Sequence, residues 1–264
     1  MWCPLCHSQT AATPCLIGAD REEGAVISFV IPTLNEEKTL ERTLRNVTSF
    51  SGEHEVIVSD GNSADATIAI GHRYADRVVV HDSPARQTIG QARNMGAALA
   101  RGDFYVFLDA DVVIPDIDEF FGAALEQFGR HPELVAMTVK YRVLPEASTW
   151  FDTWVFTMLG LQFRFQNNIL GIGGSGGEFQ MITAQAFHAV DGFDESLVAA
   201  EDMDLFRRLS RIGRTRFDGR LAVFHTGRRA HEVGWPSLLW QWFTNSFTVF
   251  VFRRSASREW EVVR

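Results

Sequence analysis

The sequence predicts an α/β fold in which a mixed, mostly parallel sheet carries helices on both faces and is followed by a C-terminal amphipathic helix. Two observations predict it. Short apolar runs alternate with segments whose apolar residues recur at helical spacing, which is the pattern of parallel strands joined by helices. Polar groups also follow directly after several of these runs, so they collect at the sheet edge where such folds bind ligands.

Composition and charge restrict the classes of protein to consider. The chain has 264 residues, and 46% of them are hydrophobic, which is typical of a folded domain. Its net charge of -8 argues against nucleic acid as the main partner. Twelve arginines but only four acids lie between Arg207 and Arg264, and such a basic end suits phosphate groups or anionic lipid. We divide the chain into an N-terminal extension (1–24), one folded domain (25–230) and an amphipathic, membrane-associated tail (231–264).

Three cysteines crowd the N-terminal end, at Cys3, Cys6 and Cys15. An odd number so close together is not a disulfide framework. The spacing from Cys3 to His7 fits c-type haem attachment, and it also fits half of a zinc site. No basic region followed by an apolar run precedes them, as a signal peptide requires. We favour the alternative, a flexible extension that carries free thiols.

Four apolar runs in the first half predict buried strands. They lie at 26–31, 55–58, 78–80 and 104–108. Helical spacing of apolar residues predicts helices after the first three runs. Asn35 and Ser63 are suited to cap the first two of these helices, and the third covers 89–99.

The second half is less regular but continues the alternation. Strands are predicted at 135–141, 179–182 and 221–224, and helices at 120–128, at 184–190 and from Glu201 onward. Residues 150–163 are apolar and aromatic, which predicts a helix or a half-buried loop. The glycine-rich stretch 171–177 is expected to be irregular, because glycine adopts conformations that other residues avoid.

Two carboxylates follow directly after the most apolar of these runs. Asp109 and Asp111, separated by Ala110, come after 104–108. Carboxylates at the end of a buried strand are costly unless a positive charge compensates them. A divalent cation that bridges a diphosphate supplies such a charge, and oxygen ligands suit Mg²⁺ or Mn²⁺. A similar triplet at 116–118 is expected to lie on the surface.

Three further groups each have two interpretations. Asp60 ends a predicted strand, where it either accepts hydrogen bonds from a base or ribose or belongs to a helix-capping loop. Asp202, at the start of a predicted helix, either stabilises the helix dipole or acts as a general base. His225 ends the last strand and is either structural or a metal ligand. Arg228 and Arg229 follow it and are suited to hold a diphosphate.

Taken together, these stretches resemble the family 2 glycosyltransferases of the GT-A fold. The resemblance runs from about Val26 to His225 and rests on motifs in the family's order and spacing. The motifs are Val30-Ile31-Pro32-Thr33-Leu34-Asn35-Glu36-Glu37, Val56-Ile57-Val58-Ser59-Asp60-Gly61-Asn62-Ser63-Ala64-Asp65, Ala92-Arg93-Asn94-Met95-Gly96, Ala100-Arg101-Gly102-Asp103, Phe107-Leu108-Asp109-Ala110-Asp111, Gly192-Phe193-Asp194-Glu195 and Glu201-Asp202-Met203-Asp204-Leu205. The form of the stretch 60–63 departs mildly from the family's commoner one, which leaves the base of the nucleotide open.

The resemblance implies a role for each matching position. The residues expected to bind the nucleotide-sugar are Pro32, Thr33, Glu36, Asp60, Arg93, Asp109 and Ala110. The expected metal ligands are Asp111, Asp109 and His225, although many members of the family lack the histidine. Asp202 is expected to be the catalytic base.

The implied activity is metal-dependent, inverting transfer of a sugar from a nucleotide-diphosphate sugar, with a UDP-sugar favoured, to a hydroxyl acceptor. Asp202 takes the proton of the acceptor hydroxyl as its oxygen attacks the anomeric carbon. Mg²⁺ or Mn²⁺ at Asp111 neutralises charge on the leaving diphosphate. The alternative is a catalytically inactive, membrane-associated binding protein that keeps the fold.

The stretch 233–252 carries no charge and is long enough to span a bilayer. Polar residues nevertheless recur on one helical face, at Ser237, Gln241, Thr244, Asn245 and Thr248. This stripe favours a helix lying in a membrane surface over packing on the domain or a second subunit, and over spanning. Such a location implies a lipid-linked acceptor, such as a cell-envelope glycan precursor on polyprenyl phosphate, and a cytoplasmic protein at the inner face of the cell membrane.

Two other enzyme classes fit less well. Gly171, Gly173 and Gly176 match the dinucleotide-binding pattern G-x-G-x-x-G of oxidoreductases, but no first strand and no βαβ unit surround them. A phosphate-loop NTPase is excluded, because Lys38 and Lys140 are the only lysines and neither follows a glycine as that motif requires.

Overall fold

The computed structural model describes residues 24–83 and 85–252. The three cysteines and His7, for which haem, zinc and free-thiol interpretations were open, lie outside the described residues. So does the chain after residue 252.

Seven strands of the described residues form one sheet. Their bounds are β1 (Ile27–Thr33), β2 (His54–Asp60), β3 (Arg77–Val80), β4 (Phe104–Leu108), β5 (Leu134–Val143), β6 (Phe179–Thr183) and β7 (Arg214–His225). The order across the sheet is β3-β2-β1-β4-β6-β5-β7. Strand β6 runs antiparallel to its neighbours β4 and β5, and the other pairs are parallel. The predicted mixed, mostly parallel sheet is therefore confirmed.

Helices pack on both faces of this sheet. Their bounds are α1 (Leu40–Val47), α2 (Thr67–Tyr74), α3 (Ile89–Ala97), α4 (Ile117–Arg130), α5 (Trp150–Arg164), α6 (Ala184–Ala189), α7 (Glu201–Leu209), α8 (Arg228–Val233) and α9 (Trp235–Phe252), with a π-helix at Phe165–Leu170. Side chains of α1, α4 and α5 enter the core on one face, and those of α3, α6 and α7 enter the core on the other. Successive residues of β1, such as Phe29 and Val30, therefore contribute to the cores on opposite faces of the sheet, as the strand pleat requires.

The loops after β1 and β2 are joined to each other, which corrects two predicted helix caps. Asn35 adopts a left-handed backbone conformation (φ 54°), and its Oδ1 accepts the N–H of Ala64. The N–H of Asn35 donates to Ser63 Oγ at 2.7 Å. Both polar side chains are thus used between loops, and the helices begin later, at Leu40 and Thr67.

The last strand is longer than predicted. Only 221–224 was expected, but β7 covers Arg214–His225 at the edge of the sheet. Its first part alternates exposed Arg214 with buried Thr215, so it lacks the continuous apolar run of a central strand. The sequence pattern therefore revealed only the second half.

The apolar stretch 150–163, predicted as a helix or a half-buried loop, forms α5. Thr149 caps it: its Oγ1 accepts the N–H of Asp152, and the carboxylate of Asp152 accepts the N–H of Thr149. This reciprocal capping box fixes where the helix starts.

The C-terminal region forms two helices instead of one. Gly234 (φ +82°) ends α8, and α9 follows it. The members of the predicted polar stripe differ in exposure, because Asn245 is only 2% exposed while Ser237 is exposed. The apolar side chains of Trp240 and Phe243 are outward. None of the helices in the described chain combines the length and apolarity that a bilayer-crossing segment needs.

Candidate active site

A cleft of about 950 Å³ opens at the carboxyl edge of the sheet. The ends of β1 and β4 form its floor, the start of α7 forms one side, and α5 and α9 form the opposite side. The strand directions explain this placement, because β1, β2, β4, β5 and β7 all end at this edge. A volume of this size suits a nucleotide-sugar.

Pro32, Thr33 and Glu36 line the cleft, as predicted, but Asp60 does not. Asp60 is fully buried, and its carboxylate accepts the hydroxyl protons of Thr33 and Ser63, each at 2.7 Å. It also accepts the Ser63 N–H at 2.7 Å. Asp60 therefore joins the loops after β1 and β2 and orients Thr33 at the cleft. Its contact with a base stays a prediction.

Glu36 holds an arginine over the cleft. Both of its carboxylate oxygens accept from Arg228 Nη2, at 2.7 and 3.0 Å. Burial tends to lower the pKa of Arg228, but the hydrogen bond and charge of Glu36 outweigh it and raise that pKa above the ordinary value. The loop after β1 and the start of α8 are thereby joined by a partly buried ion pair.

Asp109 and Ala110 follow β4 directly. The carbonyl of Ala110 accepts the hydroxyl proton of Thr43 at 2.9 Å, and its side chain is buried. The side chain of Asp109 remains 37% exposed to the cleft. Loss of surrounding water, opposed by the charge of Arg93, raises the pKa of Asp109 to about 6.

Asp111 lines the same cleft and is held by the chain after β7. Its Oδ2 accepts the N–H of Thr226 at 3.3 Å and also the Thr226 hydroxyl proton. In the described residues no three His, Cys, Asp or Glu side chains stand close enough together to hold a metal ion. The predicted trio of Asp109, Asp111 and His225 therefore does not form a complete metal site from protein groups.

His225 is buried at the end of β7, with its ring edge-on to Phe156. Its Nδ1 accepts the N–H of Gly227 at 3.2 Å, which places the imidazole proton on Nε2. That Nε2 is buried without a hydrogen-bond partner in the described part of the chain. With its proton, Nε2 is a hydrogen-bond donor, which suits a phosphate oxygen. Without its proton, in the other tautomer, Nε2 is suited to bind a cation. Burial lowers the pKa of His225, so the neutral ring is favoured.

Arg93 lies beneath the cleft and joins three elements. Its Nη1 donates to Glu201 at 2.8 Å, and its Nη2 donates to Asp109 at 3.1 Å and to the Gly177 carbonyl at 3.0 Å. The guanidinium also packs over the ring of Phe193. Arg93 lines the cleft but is only 1% exposed, so in this structure it is chiefly an internal bridge. Its contact with the donor stays a prediction.

Two glycines permit this position of Arg93. A side chain at Gly177 would lie 2.7 Å from Arg93 Nη2, and one at Gly96 would lie 2.5 Å from Val30. Such distances are too short for any non-bonded contact. Glycine at 96 lets α3 approach β1, and glycine at 177 leaves room for the guanidinium.

Glu201 and Asp202 open α7, and both line the cleft. Glu201 is buried and pairs with Arg93, whereas Asp202 is partly exposed and its Oδ1 accepts the N–H of Met203 at 2.7 Å. Loss of water raises the pKa of Glu201 to about 7 and that of Asp202 to about 6. A carboxylate with a raised pKa at the cleft surface is suited to general base catalysis, and this describes Asp202.

The family comparison agrees with this geometry. The family model described as Glycosyl transferase family 2 matches residues 28–190, which is more than half of the chain. The chain belongs to this family. The succinoglycan biosynthesis protein ExoA of Rhizobium meliloti is 30% identical to it over 196 residues, which cover 70% of this chain and 58% of that relative. This family 2 chain spans about three fifths, or less, of the length of the curated relatives it matches.

Solved structures of similar shape establish the fold of this family 2 chain. S. aureus TarS 1-349, in complex with UDP-GlcNAc, has a TM-score of 0.59 at 21% identity, over 75% of this chain and 57% of that chain. The mannosyltransferase PcManGT from Pyrobaculum calidifontis, in complex with GDP-Man and Mn²⁺, has a TM-score of 0.60 at 19% identity, over 78% and 59%. The predicted GT-A fold is confirmed.

The oxidoreductase alternative is wrong for this family 2 chain. The stretch 171–177 lies between the π-helix and β6, so no helix N-terminus follows it to receive a diphosphate. Gly173 instead lies against the backbone of α7, where a side chain would be 2.2 Å from the Phe206 carbonyl oxygen.

Glu178 is a cleft residue that the sequence interpretation missed. It precedes β6 and lines the cleft with Asp109 and Asp202. Burial, followed by the charge of Asp109, raises the pKa of Glu178 to about 8. The available signal was an acid directly before a short apolar strand, whereas the acids at 109 and 111 were singled out because they follow one. Strand β6 runs antiparallel to β4, so its start lies at the same edge as the end of β4.

The wall made by α8 and α9 is fixed at Asp152, which the sequence interpretation also missed. One carboxylate oxygen accepts from Trp235 Nε1 at 2.7 Å, and the other lies 3.0 Å from His231 Nε2. The ring of Trp235 packs edge-on against Phe156, which in turn contacts His225. The first turn of α5 therefore anchors both C-terminal helices beside the cleft.

Proposed function

We propose that this chain transfers a sugar from a nucleotide-diphosphate sugar to a hydroxyl acceptor with inversion at the anomeric carbon. One observation carries the proposal: Asp202 lines the same cleft as Asp109 and Asp111. In-line displacement requires a base and a diphosphate-binding pair that reach one bound substrate, and a single cavity brings them together.

The donor side is the edge formed by β1 and β4. Pro32 and Thr33 take the nucleoside, and Arg228 is placed to bind diphosphate oxygens. Asp109 and Asp111 suit Mg²⁺ or Mn²⁺, because such ions are commonly held by one or two carboxylates together with substrate phosphates. When bound, the cation neutralises charge on the diphosphate. PcManGT, solved with Mn²⁺, supports a divalent cation.

The transfer balances with one base. Asp202 accepts the proton of the acceptor hydroxyl while that oxygen forms a bond to the anomeric carbon. The bond from that carbon to the diphosphate oxygen breaks, and the nucleoside diphosphate leaves with the bonding electron pair. Glu201 and Arg93 hold the start of α7, and so Asp202, in position.

The identities of the nucleotide and of the acceptor are further parts of the proposal. We propose a UDP-sugar, which TarS supports by its complex with UDP-GlcNAc, although PcManGT was solved with GDP-Man. A lipid-linked glycan precursor as acceptor, and a place at the inner face of the cell membrane, stay predictions. An inactive binding protein is not favoured, because the cleft keeps Asp111 and Asp202.

The test is release of nucleoside diphosphate from a panel of UDP- and GDP-sugars, with Mn²⁺, with Mg²⁺ and with a chelator. We expect one donor to be hydrolysed slowly without acceptor, faster with the cation than with the chelator, and not by Asp202→Asn. Binding of donors without turnover in any condition would support the inactive alternative instead.

A further inference from the structure

An unusual surface lies beside the cleft mouth. Of the thirteen large hydrophobic side chains that are most exposed in the described residues, twelve lie in 150–172 or on α9. The thirteenth, Ile212, precedes the start of β7 and so lies near the amino ends of the parallel strands, away from the cleft at their carboxyl ends. Contiguous exposed apolar surface of this size marks an interaction site, whereas single exposed residues need no explanation.

The first part of this surface is one side of α5. Trp150, Trp154, Met158 and Leu161 of α5 and Phe165 of the π-helix recur every three or four residues and are all exposed. The other side of α5 is buried in the core through residues such as Val155 and Phe156. A stripe of large apolar side chains on a helix is normally covered by another element, so the outer stripe of α5 lacks its partner.

The second part is the outer side of α9. Leu239, Trp240, Phe243 and Phe247 are exposed, and the rings of Phe243 and Phe247 stack at 6.2 Å. The inner side of α9 packs on the domain through Trp235 and Leu238. We call the outward side chains of α5, the π-helix and α9 the apolar shelf.

The shelf is continuous with the catalytic cleft. Trp154 and Met158 on α5, and Leu239 and Phe243 on α9, are exposed and also line the cleft. A second protein subunit seated on the shelf would therefore close the entrance. A bilayer would leave the cleft open to molecules held within the membrane.

Charge favours an anionic bilayer. The protein has a net charge of -8. The charged residues within 147–177 are only Asp152, which is buried, and Arg164, which is exposed. Helix α9 contains no charged residue, and Arg253 and Arg254 follow it in the sequence. Anionic lipid would thus repel the other faces of the protein and attract this one. Tryptophan at three shelf positions also suits the boundary between headgroups and acyl chains.

We propose that the apolar shelf docks this protein on an anionic membrane surface, and that the acceptor is an amphiphile whose hydroxyl enters the cleft while its apolar part stays in the lipid. The choice of acceptor rests on the proposed function, but docking does not. No helix needs to cross the bilayer, because α5 and α9 each pack one side on the domain and leave the other side exposed for contact with the lipid.

The test is sedimentation of the full 264-residue chain with vesicles of phosphatidylcholine alone and of phosphatidylcholine with phosphatidylglycerol. The test variant is Phe165→Ser/Ile169→Ser/Trp240→Ser, which changes shelf residues that do not line the cleft. The matched control is Ile212→Ser, an equally exposed side chain away from the shelf. Calorimetric binding of UDP with Mn²⁺ reports separately on the donor site.

We expect the wild-type protein and Ile212→Ser to sediment with the anionic vesicles, and the triple variant to bind them about tenfold more weakly or less. All three should bind UDP alike. Docking is refuted if wild-type protein that binds UDP stays in the supernatant, or if the triple variant sediments as wild type does. A wild-type dimer that the triple variant converts to monomer, without vesicle binding, would assign the shelf to a second copy. Vesicle binding without UDP binding in any of the three would refute the proposed UDP-sugar donor and leave docking intact.

Discussion

Arg93 Nη1 lies 2.8 Å from Glu201 Oε1, and both side chains are buried. The pair joins α3 to α7 across the end of the sheet, and Asp202 is the next residue of α7. The other guanidinium nitrogen reaches Asp109 at 3.1 Å. One buried cation therefore sets the distance between the two acidic sides of the cleft.

Arg93→Met should destabilise the fold strongly. Removing one member of a buried ion pair leaves an uncompensated carboxylate, which costs about 3–5 kcal/mol. The matched control is Arg45→Met, which breaks the exposed pair with Glu41 and should cost about 0–1 kcal/mol. Urea unfolding of both variants measures the difference. Equal losses in the two variants would contradict a bridging role for Arg93.

Asp202→Asn and Glu201→Gln should separate two adjacent acids. If Asp202 is the base, Asp202→Asn should lower kcat about a hundredfold to ten-thousandfold while UDP with Mn²⁺ still binds. Glu201→Gln keeps an oxygen that accepts from Arg93, so its kcat should stay within about tenfold of wild type. Steady-state transfer assays and calorimetry measure both. The reverse pattern would transfer the role of base to Glu201.

The pH dependence follows from the raised pKa values of this pair. Loss of water is the largest cause for both residues, and it raises the pKa of Asp202 to about 6 and that of Glu201 to about 7. A general base acts only when unprotonated, so kcat/KM should fall as the pH drops through this interval. An ordinary aspartate would place the fall near pH 4. The residual activity of Asp202→Asn should lack this acid limb.

Much of this arrangement follows from local pattern, and some of it does not. The apolar runs before Asp60, Asp109 and His225 predicted that these residues end strands at one edge, since strand ends are encoded locally. Which of them face the cleft is decided by partners far along the chain. Arg93 and Glu201 are 108 residues apart, and no periodicity reveals that they meet.

The same limit applies to the surroundings of single residues. The sequence placed Asp60 at the end of a strand, but it did not reveal that the hydroxyls of Thr33 and Ser63 donate to its carboxylate in the interior. The sequence also predicted a polar stripe on α9, but it did not reveal that Asn245 of this stripe is buried. Amphipathic patterns show that a helix has two sides, but the neighbouring elements decide which side is covered.

Asp111→Ala should abolish the dependence of UDP binding on Mn²⁺. Asp111 lines the cleft after β4, and its carboxylate is held by Thr226. Thr226→Val removes the hydroxyl that donates to Asp111 and accepts from the Arg228 N–H, but it keeps the backbone N–H that also donates to Asp111. It should therefore weaken the effect of Mn²⁺ about tenfold or more without abolishing it. Asp118→Ala, in the look-alike triplet at 116–118, is the matched control and should bind as wild type does. Calorimetry with and without Mn²⁺ measures UDP binding by the three variants. If UDP binding by Asp111→Ala still depended on Mn²⁺ as in the wild type, Asp111 would not be a ligand of the cation.

Asp152→Asn should weaken both the fold and the donor site, although Asp152 lies outside the cleft lining. Its carboxylate accepts from Trp235 and pairs with His231, and α8, which carries His231, begins with the arginine that Glu36 holds over the cleft. An asparagine keeps the volume but loses the charge and one acceptor oxygen, which should cost about 1.5–3 kcal/mol and loosen α8.

Thr149→Val is the matched control, because it removes the cap of α5 at about 1 kcal/mol and leaves Trp235 and His231 their partner. In Asp152→Asn the KM for the donor should rise severalfold while kcat changes little, because the arginine of α8 binds the diphosphate in the ground state as well as in the transition state. In Thr149→Val the KM should stay at the wild-type value. Equal KM values in the two variants, measured well below their unfolding temperatures, would reduce Asp152 to a helix cap.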